Sequence, residues 1–359
     1  MKVQQRDVFR SVAIIPSLIG TTMAMWIFAS AIVWGAQDPL AEGKALESQR
    51  KFDRAAEVYR SAIEASPAAA ELRYRLAVVA RALGRSDEAI EAAQKALDLK
   101  PSYGDASVLL GELYEEQERW SDAVTAYAGA VNSGLKTAEI YSHLGRAYRH
   151  TRQYDQALEV YRQALAKEAG NVATRYDLAA TLAEMGREDD ALREYDRVLA
   201  QAPAFYMAHF QKGVLYKKQD KLDPAEAELT AALTANPELA SAFFELGQVY
   251  ARMGKPGAAA AAYREVAQLN PYVGNVNTRL GELALAEGKL DTAIAYFKRG
   301  LERDSEQFMI YFHLANAYQK RGDLKESVEA YRQVIKLFPV LFDARYNLGV
   351  VYSRLGHLQ

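Results

Sequence analysis

The sequence predicts an all-α protein: a stack of helical hairpins preceded by one long hydrophobic helix. Three observations carry that expectation. A small residue recurs every 34 residues without a gap, from Gly43 to Gly349. Around it, apolar residues fall three and four apart, interrupted by glycine and closed by proline, which is the rhythm of short amphipathic helices. Finally, residues 11–37 carry no charge at all, while Lys2, Arg6 and Arg10 precede them.

The N-terminal stretch comes first. An apolar run of that length suffices to cross a bilayer, which takes about 20 residues. Its basic flank predicts a cytoplasmic N-terminus, with everything after Asp38 on the far side. Two outcomes stay open. One is an uncleaved membrane anchor; the other is a removed signal peptide, with Ala29-Ser30-Ala31 as a small-x-small cleavage site. The run exceeds the usual apolar region of a signal, about 7 to 15 residues. Cleavage after Ala36 would also place Trp34 where a small residue is required. Either way the rest is exported, on the periplasmic side of an inner membrane. Residues 1–36 thus read as an anchor or signal segment and 37–359 as one repeat domain.

Residues 240–273 show the repeating unit best. Leu246, Gly247 and Tyr250 share one face of a first helix, and MGKPG breaks the pattern around Gly254. Ala259, Tyr263 and Val266 then mark one face of a second helix, which Pro271 ends. Close crossing of two antiparallel helices requires small side chains, so Gly247 and Ala259 are expected at the crossing. Tyr250 and Tyr263 are expected to fill the space toward neighbouring hairpins. The first small residue recurs at Gly43, Ala77, Gly111, Gly145, Ala179, Gly213, Gly281, Ala315 and Gly349. The second-helix aromatic recurs as Tyr59, Tyr127, Tyr161, Tyr195, Phe297 and Tyr331, with Ala93 and Leu229 as substitutes. The order Leu-Gly-x-x-Tyr, Ala-x-x-x-Tyr, Pro resembles the tetratricopeptide repeat, a helix–turn–helix of 34 residues. The resemblance covers about nine full repeats plus a half. It implies a right-handed α-solenoid whose first helices line the concave side, each hairpin stacking because none can bury its own apolar face.

Both ends are atypical. Pro39 and Glu42 stand where large apolar residues are usual, predicting a frayed or membrane-abutting first repeat. The last unit, FDARYNLGVVYSRLGHLQ, is a lone first helix. Its Val350, Val351, Tyr352 and Leu355 are apolar for an exposed end, which predicts a partner, self-association or further chain.

Little in the composition points to catalysis. There is no cysteine, so disulfides and thiolate metal sites are excluded. A net charge of −2 argues against a nucleic-acid scaffold, which needs a basic stripe. Of the five histidines, only His143 and His150 share a helix, seven residues apart, where metal ligation favours i and i+4. No phosphate loop or nucleophile elbow is present. The chain reads as non-enzymatic, with no cofactor and no metal.

The family's binding face implies positions 2, 5, 6, 9, 12 and 13 of each repeat. Repeats five to seven place Tyr176, Phe210 and Phe244 in one column, beside Met207 and Val214 and flanked by Lys217, Lys218 and Arg252. That strip suits a peptide with aliphatic and acidic side chains, unless the aromatics fold over the hairpin interior. Repeats two to four are charged, with Arg75 and Arg81, then Asp105, Glu112, Glu115 and Glu116, then His143, Arg146, Arg149 and His150. This second patch either grips a charged tail or neutralises itself, with Glu112 and Glu116 facing Arg146, Arg149 or Arg81. Position 5 is never Lys, against a chaperone-tail clamp, and position 6 holds no asparagine ladder, against the glycan-transferring relatives. The expectation is a protein–protein interaction scaffold of the cell envelope, acting in assembly, secretion or export. The alternatives are a self-associating array through the last helix and the regulatory arm of a separate catalytic subunit.

Overall fold

The computed structural model describes residues 38–270, 273–303 and 306–356, and among these every regular element is an α-helix. The predicted anchor or signal segment lies outside the described residues. Among the described residues no helix is long and apolar enough to cross a membrane. The chain divides into two compact units, one ending at Gln153 and the other beginning at Tyr154.

The first unit holds α1 (Pro39–Ser48), α2 (Phe52–Ala65), α3 (Ala70–Ala82), α4 (Ser86–Leu99), α5 (Gly104–Glu116), α6 (Trp120–Asn132) and α7 (Ala138–His150). The second opens with α8 (Tyr154–Lys167), α9 (Val172–Glu184), α10 (Glu188–Gln201), α11 (Tyr206–Lys218) and α12 (Leu222–Ala235). It continues with α13 (Ala240–Arg252), α14 (Pro256–Leu269), α15 (Val276–Ala286) and α16 (Leu290–Arg303). It closes with α17 (Phe308–Arg321), α18 (Leu324–Leu337) and α19 (Phe342–Arg354). Odd-numbered helices are the first helices of the repeats and even-numbered ones the second. In each unit a helix packs mainly on its sequence neighbours, and in the second unit the first helices α9–α11, α11–α13 and α15–α17 also touch.

The crossing inside each hairpin is tighter than the spacing alone conveys. A Cβ added to Gly247 would sit 2.5 Å from the ring of Tyr263, and one on Gly111 would sit 2.5 Å from Tyr127. Gly281 meets Phe297 in the same way, and Gly213 meets Leu229 at 2.7 Å. The second-helix aromatic therefore lies flat on the glycine of its own first helix. As expected, Tyr263 also joins Val276 and Leu280 of the next hairpin in one core, and Tyr250 lies half-buried against the cores on both sides of α13. Tyr59, Tyr127, Tyr161, Tyr195, Tyr263 and Tyr331 are all essentially buried. Each large apolar side chain so buried contributes about 1.5–3 kcal/mol. In repeat two Ala77 and Ala93 stand at these two positions, and both are buried.

The second helices stop where proline predicts. Helices α2, α4, α10, α12 and α18 each end two residues before Pro67, Pro101, Pro203, Pro237 and Pro339, because the residue preceding a proline is pushed out of the helical region. The first repeat differs from expectation. Pro39–Ser48 is a helix, with Asp38 accepting a hydrogen bond from the Leu40 amide at 3.0 Å and proline at its first turn. Proline needs no amide donor there and its φ is already helical, so it starts the helix rather than fraying it. At the other end Val351 is buried and Val350, Tyr352 and Leu355 are half-buried, so the exposed apolar side chains are instead Phe342 and Tyr346 of α19 and Val340 before it, at 74%, 63% and 75%. Gly349 meets no atom within 4 Å.

Candidate functional site

In the first unit, α3, α5 and α7 together line a depression of about 440 Å³. Its floor is apolar, made by Val78, Val108, Leu109, Leu135 and Ile140, with Tyr74 at one side. Leu109 and Ile140 are buried and the others half-buried. Its rim is polar, made by the charged Arg81, Asp105, Glu112 and Glu139 together with His143. Every first-helix residue here except Ile140 stands at position 2, 5, 6, 9 or 12, the register that faces outward once positions 3, 7, 8 and 10 are used for packing.

The rim charges are not equivalent. The Arg81 guanidinium is held by Glu112 and by Glu116, the latter at 2.6 Å. One helix further on, Glu115 gathers Tyr127, His143 and Arg146. Tyr127 donates its hydroxyl at 2.9 Å, His143 Nδ1 lies 2.8 Å away and Arg146 Nη1 3.2 Å away. The His143 ring stacks on Tyr127 with centroids 5.3 Å apart. Burial raises the Glu115 carboxyl, but the bond to His143, the Arg146 charge and the Tyr127 hydroxyl outweigh it and hold it below the usual carboxylate range. Burial and Glu115 together push the Tyr127 phenol far up. Asp105 and Glu139 are exposed, and neither forms an ion pair among the described residues. The uncommitted charge of the groove is therefore negative.

The expected charged patch thus divides. Arg81 takes Glu112 and Glu116, as complementary signs on adjacent repeats predict, while Arg146 takes Glu115 instead. His150 stacks face to face on Trp120, centroids 3.8 Å apart, and Arg149 is half-buried and likewise engaged.

The apolar strip of the second unit looks different from its expected form. Tyr176 leans on Tyr195 and Phe205, and Phe244 on Tyr263, with centroids 5.3–5.7 Å apart. Phe210 is half-buried against the core between α12 and α13. Met207 remains 40% exposed and Val214 half-buried. The flanking cations are already matched. Lys217 bonds Glu245 and, at 2.8 Å, Gln248; Lys218 meets Glu188 at 2.7 Å; Arg252 bonds Asp220 and the Lys217 carbonyl. The cationic rim expected for acidic ligands is neutralised by neighbouring repeats.

The charged residues expected from the sequence include Arg81, Asp105, Glu112 and His143 of this groove, but neither its apolar floor nor Glu139. Glu139 sits at position 2 of repeat four, so a register of charged positions contains it. Leu135 lies in the turn between repeats, outside any helical register, and only folding brings it to the floor. Among the described residues no cluster of three metal-ligating side chains occurs.

Comparisons with known proteins agree with the architecture. The tetratricopeptide repeat family model matches residues 40–104, 108–173, 211–274 and 244–308. Related repeat models match 149–212 and 316–356. Among solved structures, the C-terminal part of a TPR repeat-containing protein from Cytophaga hutchinsonii aligns with a TM-score of 0.57 and 16% identity, over 66% of this chain and 98% of that one. PilF of Pseudomonas aeruginosa aligns with a TM-score of 0.52 and 20% identity, over 59% of this chain and 96% of its own. Among curated proteins no sequence matches. At these identities the structures speak for the fold alone, and the family models for the repeat. The hairpins, their 34-residue period and these matches agree: the chain belongs to the tetratricopeptide repeat family.

Proposed function

We propose that the chain is a non-catalytic adaptor that docks an extended segment of a partner protein across α3, α5 and α7. Proteins of this family generally mediate protein–protein interaction. The observation that carries the reading is the apolar depression rimmed by the unpaired carboxylates of Asp105 and Glu139. Its complement is a segment alternating aliphatic side chains with lysine or arginine, laid across the first helices so that side chains enter and cations meet the rim. The uncharged run at residues 11–37, behind its basic flank, adds a cell-envelope setting, with the repeats on the periplasmic side of an inner membrane and a role in assembly, secretion or export.

Fluorescence anisotropy with a labelled peptide of alternating leucine and lysine tests the groove. An Asp105→Lys/Glu139→Lys double variant should bind at least about tenfold more weakly, which corresponds to ~1.4 kcal/mol. Equal affinity of the variant and the wild type would overturn the assignment. A second reading, self-association, rests on the exposed Val340, Phe342 and Tyr346. Sedimentation giving one mass at all concentrations would remove it.

A further inference from the structure

We propose that repeat five carries a second ligand site, specific for phosphoryl groups, in the crevice between α8, α9 and α10. The crevice has a volume of about 470 Å³ and is lined by Arg162, Arg175, Arg187, Arg193 and Arg197, with Asp190 and Glu194. Five guanidinium groups thus meet two carboxylates, in a chain whose net charge is −2.

The carboxylates act as spacers. Asp190 accepts from Arg187 through one oxygen, at 2.8 Å to Nε, and from Arg193 through the other. Glu194 accepts from Arg175 at 3.1 Å through one oxygen and from Arg197 through the other. Four cations are thereby held side by side, and most of the five N–H donors on each stay available. Arg175 is the innermost, its side chain 14% exposed, with Nη2 on the Ala169 carbonyl at 2.9 Å. Its Nε is buried without a hydrogen-bond partner, as are those of Arg75 and Arg146. Arg162 is exposed and meets no carboxylate among the described residues.

The alternative is a solvated face of surface ion pairs, which individually mean little. Register speaks against it. The position of Arg193 holds Glu57, Glu91, Glu159 or Glu329 in four other repeats, and alanine or threonine in the rest. A crevice at the same register in repeat nine, about 400 Å³, is lined instead by Tyr311 and Tyr318 with Glu326 and Glu329. The fold supplies the shape in both places; repeat two holds Arg60, Arg73, Arg85 and Lys95 at this register but Glu91 at the position of Arg193, and repeat five has arginine at all five positions. Planar guanidinium forks match the oxygen pairs of a phosphoryl group, and such bonds are short and charge-assisted.

Calorimetric titration of the full chain with pyrophosphate, at fixed ionic strength against a sulfate background, tests the site. An Arg193→Ala/Arg197→Ala variant removes two side chains that are 64% and 61% exposed, so the fold is expected to persist, with an unchanged circular-dichroism spectrum as the check. It should bind pyrophosphate at least about tenfold more weakly, while the lysine pair, which keeps charge but loses the fork, falls between. Parallel titrations with inorganic phosphate and with a phosphoserine peptide separate a free phosphate compound from a phosphorylated partner, and binding of either supports the site. Binding of a glutamate peptide as tight as that of the phosphoserine peptide, no heat beyond that of sulfate, or an unaffected variant would each overturn it.

Discussion

The turn between the two helices of every repeat depends on one residue. Position 15 has positive φ in all nine full repeats and after the last helix, and six of these ten residues are glycine: Gly84, Gly186, Gly254, Gly288, Gly322 and Gly356. The other four are Arg50, Glu118, Arg152 and Asp220, with φ between 56° and 60°. A side chain held in that left-handed region costs roughly 1–2 kcal/mol, which glycine avoids. Glu118 forms no ion pair among the described residues, so nothing opposes its removal. Glu118→Gly should therefore raise the urea midpoint of the full chain, by a stability of about 1 kcal/mol less the extra freedom glycine gains when unfolded. A lowered midpoint would show that the turn is not limited by backbone strain. The glycines among these turns are legible in the sequence, whereas Glu118 and Asp220 are not, because only the shared register with glycine identifies them.

At the scale of elements, α5, α6 and α7 are joined by the single carboxylate of Glu115, which takes Tyr127 and both His143 and Arg146. Its folded pKa lies below the ordinary glutamate value of about 4.5. A carboxyl so depressed binds protons less readily in the native state than in the unfolded one. Its stabilisation is present above about pH 4.5 and is lost as pH falls through the folded pKa. Glu115→Gln should therefore be less stable than wild type at pH 7, with the difference closing toward pH 3, as read from denaturant midpoints at the two pH values. A constant difference across that range would refute the clamp. Glu282 repeats the device between α15 and α17, held below the usual carboxylate range by His313 and Arg279 against the upward pull of burial. The acids and bases of such clamps are visible in the sequence as complementary signs on adjacent repeats. Which acid takes which base is not, since Glu115 and Glu116 are neighbours on one helix and face different partners.

At the scale of the whole molecule, contacts run between sequence neighbours and between adjacent first helices, so each unit is built from local pairings. Stacked hairpins of this kind display side chains along a face, and each repeat contacts mainly its neighbours. The proposed envelope setting rests on the uncharged run at residues 11–37. A periplasm-active alkaline phosphatase fused after residue 359 should be active in a bacterial host and lose activity when residues 2–37 are removed. Activity independent of that segment, or absent from the full fusion, would remove the envelope setting.

The sequence by itself determined the helical class, the 34-residue hairpin, the small residues at each crossing and the prolines that end the second helices. These follow from short-range periodicity and steric rules that act within one repeat. Only the tertiary structure decided where charge is left over. Lys217 and Arg252 are neutralised by Glu245 and Asp220, tens of residues away, while Asp105 and Glu139 keep theirs beside an apolar floor. Pairing across repeats depends on which side chains the stacked helices bring within about 4 Å, and that distance is a property of packing, not of spacing along the chain.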